Sequence, residues 1–151
     1  MTNQKSIFQI FSFFLFTLVF LSCSSDVDFT PPAGSTDLAI THYSFGKMTI
    51  DGENYDYDLC ISPKGKVQGF SVQDHQINVQ SIKNVITDEV KTLIIGNGYS
   101  SMATLPSDTL NFLEELKANG IEVLTVSTSE AVNLFNSLSK KGLLVFFHLT
   151  C

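Results

Sequence analysis

The last third of the chain alternates between two patterns of hydrophobic residues. Three runs rich in branched and aromatic apolar residues have the length of buried strands: residues 91–98, 120–126 and 142–151. The segments between these runs repeat their apolar residues at helical spacing. Strands that are apolar on both faces and alternate with helices are typical of a parallel sheet covered on both sides. The pattern predicts an α/β domain that ends in two strand–helix units and one further buried strand.

Both helices of these units have sequence signals at their ends. Pro106 opens the first helix and Gly120 ends it, with an expected inner stripe of leucines: Leu110, Leu113 and Leu116. Ser127 and Glu130 form a capping box at the start of the second helix, and Gly142 suits its carbonyl end. We therefore expect the two helices to begin and end close to these residues.

The first part of the domain predicts a hairpin followed by shorter elements. Residues 40–50 alternate in the manner of a strand, and Asp51 and Gly52 are a two-residue hairpin signal. The return strand is predicted over residues 53–61, with Asp56 and Asp58 on a solvated face. Two short elements should precede the first parallel strand: a strand over residues 66–70 and a helix over residues 78–87.

The N-terminal segment has the organisation of a secretory signal. Lys5 supplies a positive charge, and residues 7–21 form an apolar run that is shorter than the about 20 residues needed to cross a bilayer. The end of this run, with Ser22 followed by Cys23, resembles the lipobox of bacterial lipoproteins, in which the cysteine carries a diacylglycerol and cleavage precedes it. The polar residues that follow are similar to those of Bacteroidetes lipoproteins. The resemblance implies a lipid on Cys23.

These features divide the chain into a signal peptide (1–22), a flexible tether (23–37) and a globular domain (38–151). The tether is polar and cannot bury enough apolar surface to fold. The expected location is the bacterial cell envelope, where the lipid on Cys23 would hold the protein on the outer rather than the inner membrane. The alternative is an uncleaved membrane anchor with an incidental cysteine, and in either case the domain lies outside the cytoplasm.

The charged residues argue against nucleic acid as a partner. The chain has 15 acidic and 9 basic residues, a formal net charge of −6, and every basic residue is lysine. Arginine forks and basic patches are the usual means by which proteins recognise phosphates and bases. An acidic chain without arginine has neither.

The glycines after the first parallel strand invite comparison with phosphate-binding loops. Gly96 and Gly98 follow the strand as in a dinucleotide-binding turn, but Ser101 replaces the third glycine and the helix starts about ten residues later. The segment around Ser100 lacks the last glycine of a hydrolase nucleophile elbow. A structural loop is therefore the favoured interpretation, and no cofactor is predicted.

No catalytic or metal-binding constellation is evident from residue spacing. His148 and Cys151 have the chemistry of a base and a thiol nucleophile, but an odd separation along a strand sends side chains to opposite faces. The expected role of His148 is a partly buried histidine that is hydrogen-bonded within the fold. Together with His42 and His75 it shows no metal-ligand spacing, so no metal site is predicted. Cys60 and Cys151 could form a disulfide only if their Cα atoms lie within about 7 Å, and two unpaired thiols are the simpler interpretation.

An ordered set of short motifs resembles the Mth938-like domain family over about residues 38–151. The matching segments are Tyr43-Ser44-Phe45-Gly46, Asp51-Gly52, Leu93-Ile94-Ile95-Gly96-Asn97-Gly98, Leu105-Pro106, Gly120-Ile121-Glu122-Val123, Thr128-Ser129-Glu130-Ala131, Phe135-Asn136 and His148-Leu149-Thr150-Cys151. The resemblance implies a three-layer α/β domain, with a β-hairpin element beside a mixed, largely parallel central sheet flanked by helices. It also implies no established enzymatic activity and, in the branch that contains a respiratory complex I assembly factor, an assembly role through protein contacts.

We therefore expect a lipid-anchored domain that binds an unidentified protein partner or acts as an assembly accessory, without catalysis. Strand carboxyl ends gather at one edge of such sheets, and the expected binding surface lies there: Gly96, Asn97, Gly98, Tyr99, Ser100, Ser101, Thr128, Asn136 and His148. The alternative is a small-molecule-binding domain or minor hydrolase that uses residues 96–101. A closed pocket beside Gly98, with Ser100 or Cys151 facing a histidine, would favour that alternative.

Overall fold

The computed structural model describes residues 26–29 and 37–151, which contain nine strands and three helices. The predicted signal peptide, Cys23 and most of the predicted tether lie outside the described residues. Among the described residues, no helix is both long enough and apolar enough to span a bilayer. In chain order the elements are β1 (Val27–Asp28), β2 (Ile40–Ser44), β3 (Lys47–Ile50), β4 (Glu53–Tyr55), β5 (Leu59–Ile61), β6 (Val67–Gly69), α1 (Val79–Lys83), β7 (Thr92–Gly96), α2 (Ser107–Ala118), β8 (Glu122–Val126), α3 (Thr128–Ser137) and β9 (Leu143–Phe147).

The first sheet is antiparallel, in the order β1-β2-β3-β4. The strand predicted over residues 40–50 is in fact two strands, because the chain turns at Gly46, whose φ is +74°. The predicted hairpin is confirmed: Asp51 and Gly52 have φ of +48° and +84° between β3 and β4, as a type I′ turn requires. Within the segment predicted as a tether, β1 pairs with β2.

The prediction of one return strand over residues 53–61 is wrong. β4 completes the first sheet, whereas β5 belongs to the second. Asp58 lies between them and is not on a solvated face, since its side chain is only 16% exposed and accepts a hydrogen bond from the Leu149 N–H at 2.8 Å. The chain leaves one sheet for the other where this carboxylate binds the C-terminal segment.

The second sheet is mixed and lies at the centre of the domain, in the order β6-β5-β9-β7-β8. β9, β7 and β8 are parallel, and they are the three strands predicted from the apolar runs. β5 pairs antiparallel with β9 and with β6. Every residue of β9 is buried because α3 and the first sheet cover one face, while α1 and α2 cover the other. This arrangement confirms the predicted α/β fold with its hairpin element and mixed central sheet.

The two long helices begin at their sequence signals and α2 ends beside Gly120, but the prediction that α3 continues to Gly142 is wrong. The Ser127 hydroxyl accepts from the Glu130 N–H at the start of α3, as predicted. α3 ends at Ser137, where Leu138 turns to extended backbone and Lys140 Nζ donates to the Phe135 and Leu138 carbonyl oxygens.

The predicted packing stripe of α2 also contains one error. In α2, Leu113 and Leu116 are buried but Leu110 is 49% exposed. Thr109 takes the inward position instead, and its hydroxyl donates to the buried Ile77 carbonyl oxygen at 3.2 Å.

Candidate functional site at the carboxyl edge of the central sheet

The three parallel strands end together, which brings several predicted site residues to one edge. Gly96 at the end of β7 pairs in register with Val126 of β8 and Phe147 of β9. The residues that follow these strands therefore meet in space: the 97–101 loop after β7, Thr128 after β8 and His148 after β9. We call this group, together with the C-terminal residues 149–151, the carboxyl edge.

Two glycines allow the backbone segments of the carboxyl edge to approach closely. A Cβ atom on Gly96 would lie 2.9 Å from the Thr128 hydroxyl and 3.1 Å from the Phe146 carbonyl oxygen. A Cβ atom on Gly98 would lie 2.6 Å and 2.7 Å from the carbonyl oxygens of Thr150 and Cys151, and the φ of Gly98 is +111°. Glycine at position 98 is thus required by both conformation and space. The C-terminal segment fills the space beside Gly98.

The N–H groups of the 97–101 loop are used within the protein. The Tyr99 and Ser100 N–H groups donate to the carbonyl oxygens of Thr150 (3.1 Å) and Cys151 (2.5 Å), and the Asn97 N–H donates to Val126. The Ser101 N–H faces the Gly98 carbonyl oxygen at 3.4 Å. A phosphate or oxyanion site needs convergent N–H groups that point at the ligand. This loop instead uses them to hold the C-terminal segment.

Thr128 connects the three ends of the carboxyl edge. Its buried hydroxyl accepts from the Gly98 N–H at 3.0 Å and donates to the His148 carbonyl oxygen at 2.7 Å. Its own N–H donates to the Gly98 carbonyl oxygen. A buried hydroxyl with both a donor and an acceptor partner stabilises the edge.

Asn136 is a predicted site residue that the structure does not bring to this edge. It lies near the opposite end of α3 from Thr128, about 12 Å along the helix axis. Its side-chain amide donates to the Ile40 carbonyl oxygen and accepts from the Ile40 N–H, at 2.8 and 3.0 Å. Asn136 therefore joins α3 to the first sheet.

His148 is buried and hydrogen-bonded, as predicted from the sequence. Its side chain is 4% exposed, and its Nδ1 lies 2.8 Å from Asp58 Oδ2. Burial by itself lowers the pKa of His148, but the hydrogen bonds to Asp58 and Cys151 and the charge of Asp58 outweigh it, so that the pKa is raised above its usual value. Asp58 thus fixes the ring and leaves Nε2 directed away from the carboxylate.

Cys151 lies beside two histidines, which corrects the expectation that His148 and Cys151 face opposite sides. The strand ends at Phe147, so strand alternation does not extend to Cys151, whose φ is +67°. The Cys151 thiol contacts Nδ1 of His75, and ligand atoms of His75, His148 and Cys151 all lie within 4.8 Å of one another. Residue spacing cannot identify His75 and Asp58 as members of this site, because the residues that they contact lie far away in the sequence. Cys60 is buried elsewhere in the core, and both thiols are free.

The outer surface of the carboxyl edge exposes apolar side chains. Phe45, in the turn between β2 and β3, is 60% exposed and contacts Tyr99 edge to face, with 6.0 Å between ring centroids. Met102, directly after the loop, is 65% exposed. Large apolar side chains in such positions were not part of the predicted surface, and the sequence gives no signal that they are exposed.

The two-sheet architecture and the hydrogen-bonded carboxyl edge define a small mixed α/β domain whose parallel strands end in a closed, backbone-lined loop. The chain belongs to the DUF498/DUF598 family of proteins of unknown function, whose family model matches residues 40–149.

Several solved structures share this fold. A conserved hypothetical protein from Pyrococcus horikoshii OT3 is 25% identical, with 74% of this chain and 98% of that chain covered and a TM-score of 0.64. An outer membrane protein from Bartonella henselae is 20% identical, with 76% and 97% covered and a TM-score of 0.63. A Mth938-like domain from Bordetella pertussis is 19% identical, with 80% and 90% covered and a TM-score of 0.58. These comparisons confirm the family that the sequence motifs resemble.

Proposed function

We propose that this protein is a non-catalytic binding or assembly-accessory module, held on the bacterial envelope by a lipid on Cys23. The domain would bind a partner protein through the carboxyl edge. The observation that carries the proposal is the exposure, at 60% and 65%, of Phe45, which contacts Tyr99 of the 97–101 loop, and of Met102, which directly follows that loop in the chain. Exposed apolar side chains beside a rigid, hydrogen-bonded surface are suited to protein recognition.

The nature of the partner follows from charge. With a formal net charge of −6 and no arginine, the protein is repelled by nucleic acid and by anionic lipid headgroups. Exposed apolar side chains on an acidic domain therefore favour another protein as the partner.

The envelope location rests on the N-terminal sequence. The short apolar run before Cys23 supports a cleaved signal and a lipid anchor. The fold also occurs in an outer membrane protein of Bartonella henselae, which is consistent with an envelope location.

The enzymatic alternative has one observation in its favour, since Cys151 contacts a histidine. However, carbonyl oxygens occupy the space beside Gly98, and the loop N–H groups are already bonded. A substrate carbonyl would find neither room nor an oxyanion site at this position. These contacts favour the binding role.

The proposal can be tested by crosslinking and affinity purification of the full-length protein from its native envelope. Phe45→Ser and Met102→Ser should each reduce recovery of specific partners at least about tenfold, because truncating an apolar anchor costs more than about 1.4 kcal/mol. Leu110→Ser is the matched control, as Leu110 is exposed on α2, and it should leave recovery unchanged. Equal recovery from all three variants and wild type would show that the carboxyl edge is not the binding surface.

A further inference from the structure

We propose that His75, His148 and Cys151 form a binding site for a divalent transition-metal cation of the zinc class. Two imidazoles and a thiolate are the ligand types that Zn²⁺ prefers. The structure places the three side chains together, although the turn that contains His75 is far from the C-terminal segment in the sequence. The three proposed ligands do not include Phe45 or Met102, on which the proposed partner binding rests.

The separation of the ligand atoms fits a single ion after a small adjustment. All three lie within 4.8 Å of one another. A tetrahedral zinc with bonds of about 2.0–2.3 Å holds its ligands roughly 3.5 Å apart. His75 is exposed and Cys151 half-buried, so rotation of these two side chains can close the difference without moving the sheet.

His148 is already oriented as a metal ligand. Its Nδ1 is held by Asp58 Oδ2 at 2.8 Å, which leaves Nε2 for the metal, with Thr150 Oγ1 as a weaker neighbour at 3.3 Å. A carboxylate on the far nitrogen is the usual partner of a metal-binding histidine, because it fixes the ring and increases its basicity. The main-chain N–H of His148 donates to Gly96 at 3.0 Å, which fixes the residue from the other side.

The backbone around the other two ligands is held in an unfavourable conformation. His75 and Cys151 have φ of +57° and +67°, a region that non-glycine residues seldom adopt. Hydrogen bonds hold both residues in this conformation. The Thr104 N–H donates to the His75 carbonyl oxygen at 2.8 Å, and the Ser100 N–H donates to the Cys151 carbonyl oxygen at 2.5 Å. Such conformations cluster at functional sites.

The charges also balance. A cation of charge +2 would be neutralised by the Cys151 thiolate and by Asp58 behind His148. Because His75 is exposed, a fourth position would face solvent and could take water or a ligand from a partner.

The test uses the full-length protein purified with its anchor in detergent. Zn²⁺ should bind in a 1:1 ratio in competition with a chromophoric chelator, and Co²⁺ should give a near-ultraviolet thiolate-to-metal band with visible bands of tetrahedral intensity. Cys151→Ser should abolish the near-ultraviolet band. His75→Gln should weaken Zn²⁺ binding at least about 100-fold, and Asp58→Asn about 10- to 100-fold.

The controls are Cys60→Ala and His42→Gln, which remove a thiol and an imidazole outside the cluster and should keep both affinity and spectrum. Amide exchange of β9 identifies any variant that is misfolded, and the exposed His75 makes His75→Gln the safest substitution. Failure of wild type to take up one equivalent of Zn²⁺ would overturn the proposal. Retention of wild-type affinity and cobalt spectrum by folded His75→Gln and Cys151→Ser proteins would also overturn it.

Discussion

At the scale of single residues, the carboxyl edge depends on one missing side chain and one buried carboxylate. Gly98 lets the C-terminal segment pack against the loop, and Asp58 binds both the His148 ring and the Leu149 N–H. In the described part of the chain, neither Gly98 nor Asp58 forms a hydrogen bond with Phe45 or Met102. Their effects should therefore appear in stability before they appear in partner binding.

Gly98→Ala should destabilise the domain severely. Its Cβ would lie 2.6 and 2.7 Å from two main-chain oxygens, and φ is +111°. We expect a loss of at least about 3 kcal/mol in the free energy of unfolding, measured by denaturant titration. Gly52→Ala provides the control, since its φ is +84° but its Cβ would meet no atom within 4 Å. That variant should lose only about 1 kcal/mol, and equal losses would contradict the packing argument.

The Asp58–His148 pair should make stability depend on pH. The pKa of His148 is raised in the folded state, so the protonated ring adds to the free energy of unfolding. This stabilisation is fully present below the ordinary histidine pKa of 6.5 and is lost as pH rises through the folded-state pKa. Asp58, Cys151 and His75 are the titratable groups that face the ring. Chemical denaturation with a chelator present should show the free energy of unfolding falling across this window.

Asp58→Asn supplies the comparison for that measurement. It keeps an acceptor for Leu149 but removes the charge, and should cost roughly 2 kcal/mol near pH 6 while flattening the pH dependence. A wild-type stability that does not change over this range, or a variant with the same slope, would contradict the ion-pair assignment.

At the scale of secondary-structure elements, the long strands and helices could be predicted and the joins between them could not. Runs that are buried on both faces identified β7, β8 and β9, and the capping box at Ser127 identified the start of α3. The break between β4 and β5 leaves no mark in the sequence pattern, because alternation continues through Asp56 and Asp58. Only the distant partner Leu149 explains it. Local patterns report burial, whereas the switch between sheets depends on a tertiary contact.

The contact between α3 and the first sheet should depend on Asn136. Asn136→Ala removes two hydrogen bonds to Ile40 and leaves its main-chain groups without those partners. We expect a loss of about 1–3 kcal/mol and faster hydrogen exchange at the Ile40 amide. Asn133→Ala, at an exposed position of the same helix, should change neither quantity. If Asn136→Ala behaves like Asn133→Ala, the proposed joining role is incorrect.

At the scale of the whole molecule, the candidate site combines what sequence can and cannot locate. The edge itself could be predicted, since carboxyl ends of parallel strands meet there, and Gly98, Thr128 and His148 lie on it as expected. The prediction that Asn136 lies on this edge is wrong, because α3 carries it about 12 Å along the helix axis from Thr128. The approach of His75 to Cys151 could not be predicted, since it depends on a turn far away in the sequence.

The lipid anchor is also a property of the whole molecule and stays a prediction, because Cys23 lies outside the described residues. Cys23→Ser should either release the protein from the membrane fraction into the soluble fraction or leave the signal peptide uncleaved. Mass spectrometry of native material should find a diacylglycerol thioether on Cys23. An unmodified Cys23 in a chain that retains residues 1–22 would contradict the anchor.

The central claim is that the outer face of the carboxyl edge binds a protein in the cell envelope. Photocrosslinking in living cells tests it most directly, with a photoreactive amino acid placed at Met102 in one strain and at Leu110 in another. The account predicts a discrete crosslinked protein from position 102 that is lost with Phe45→Ser, and none from position 110. The same products from both positions, or no product from position 102, would contradict it.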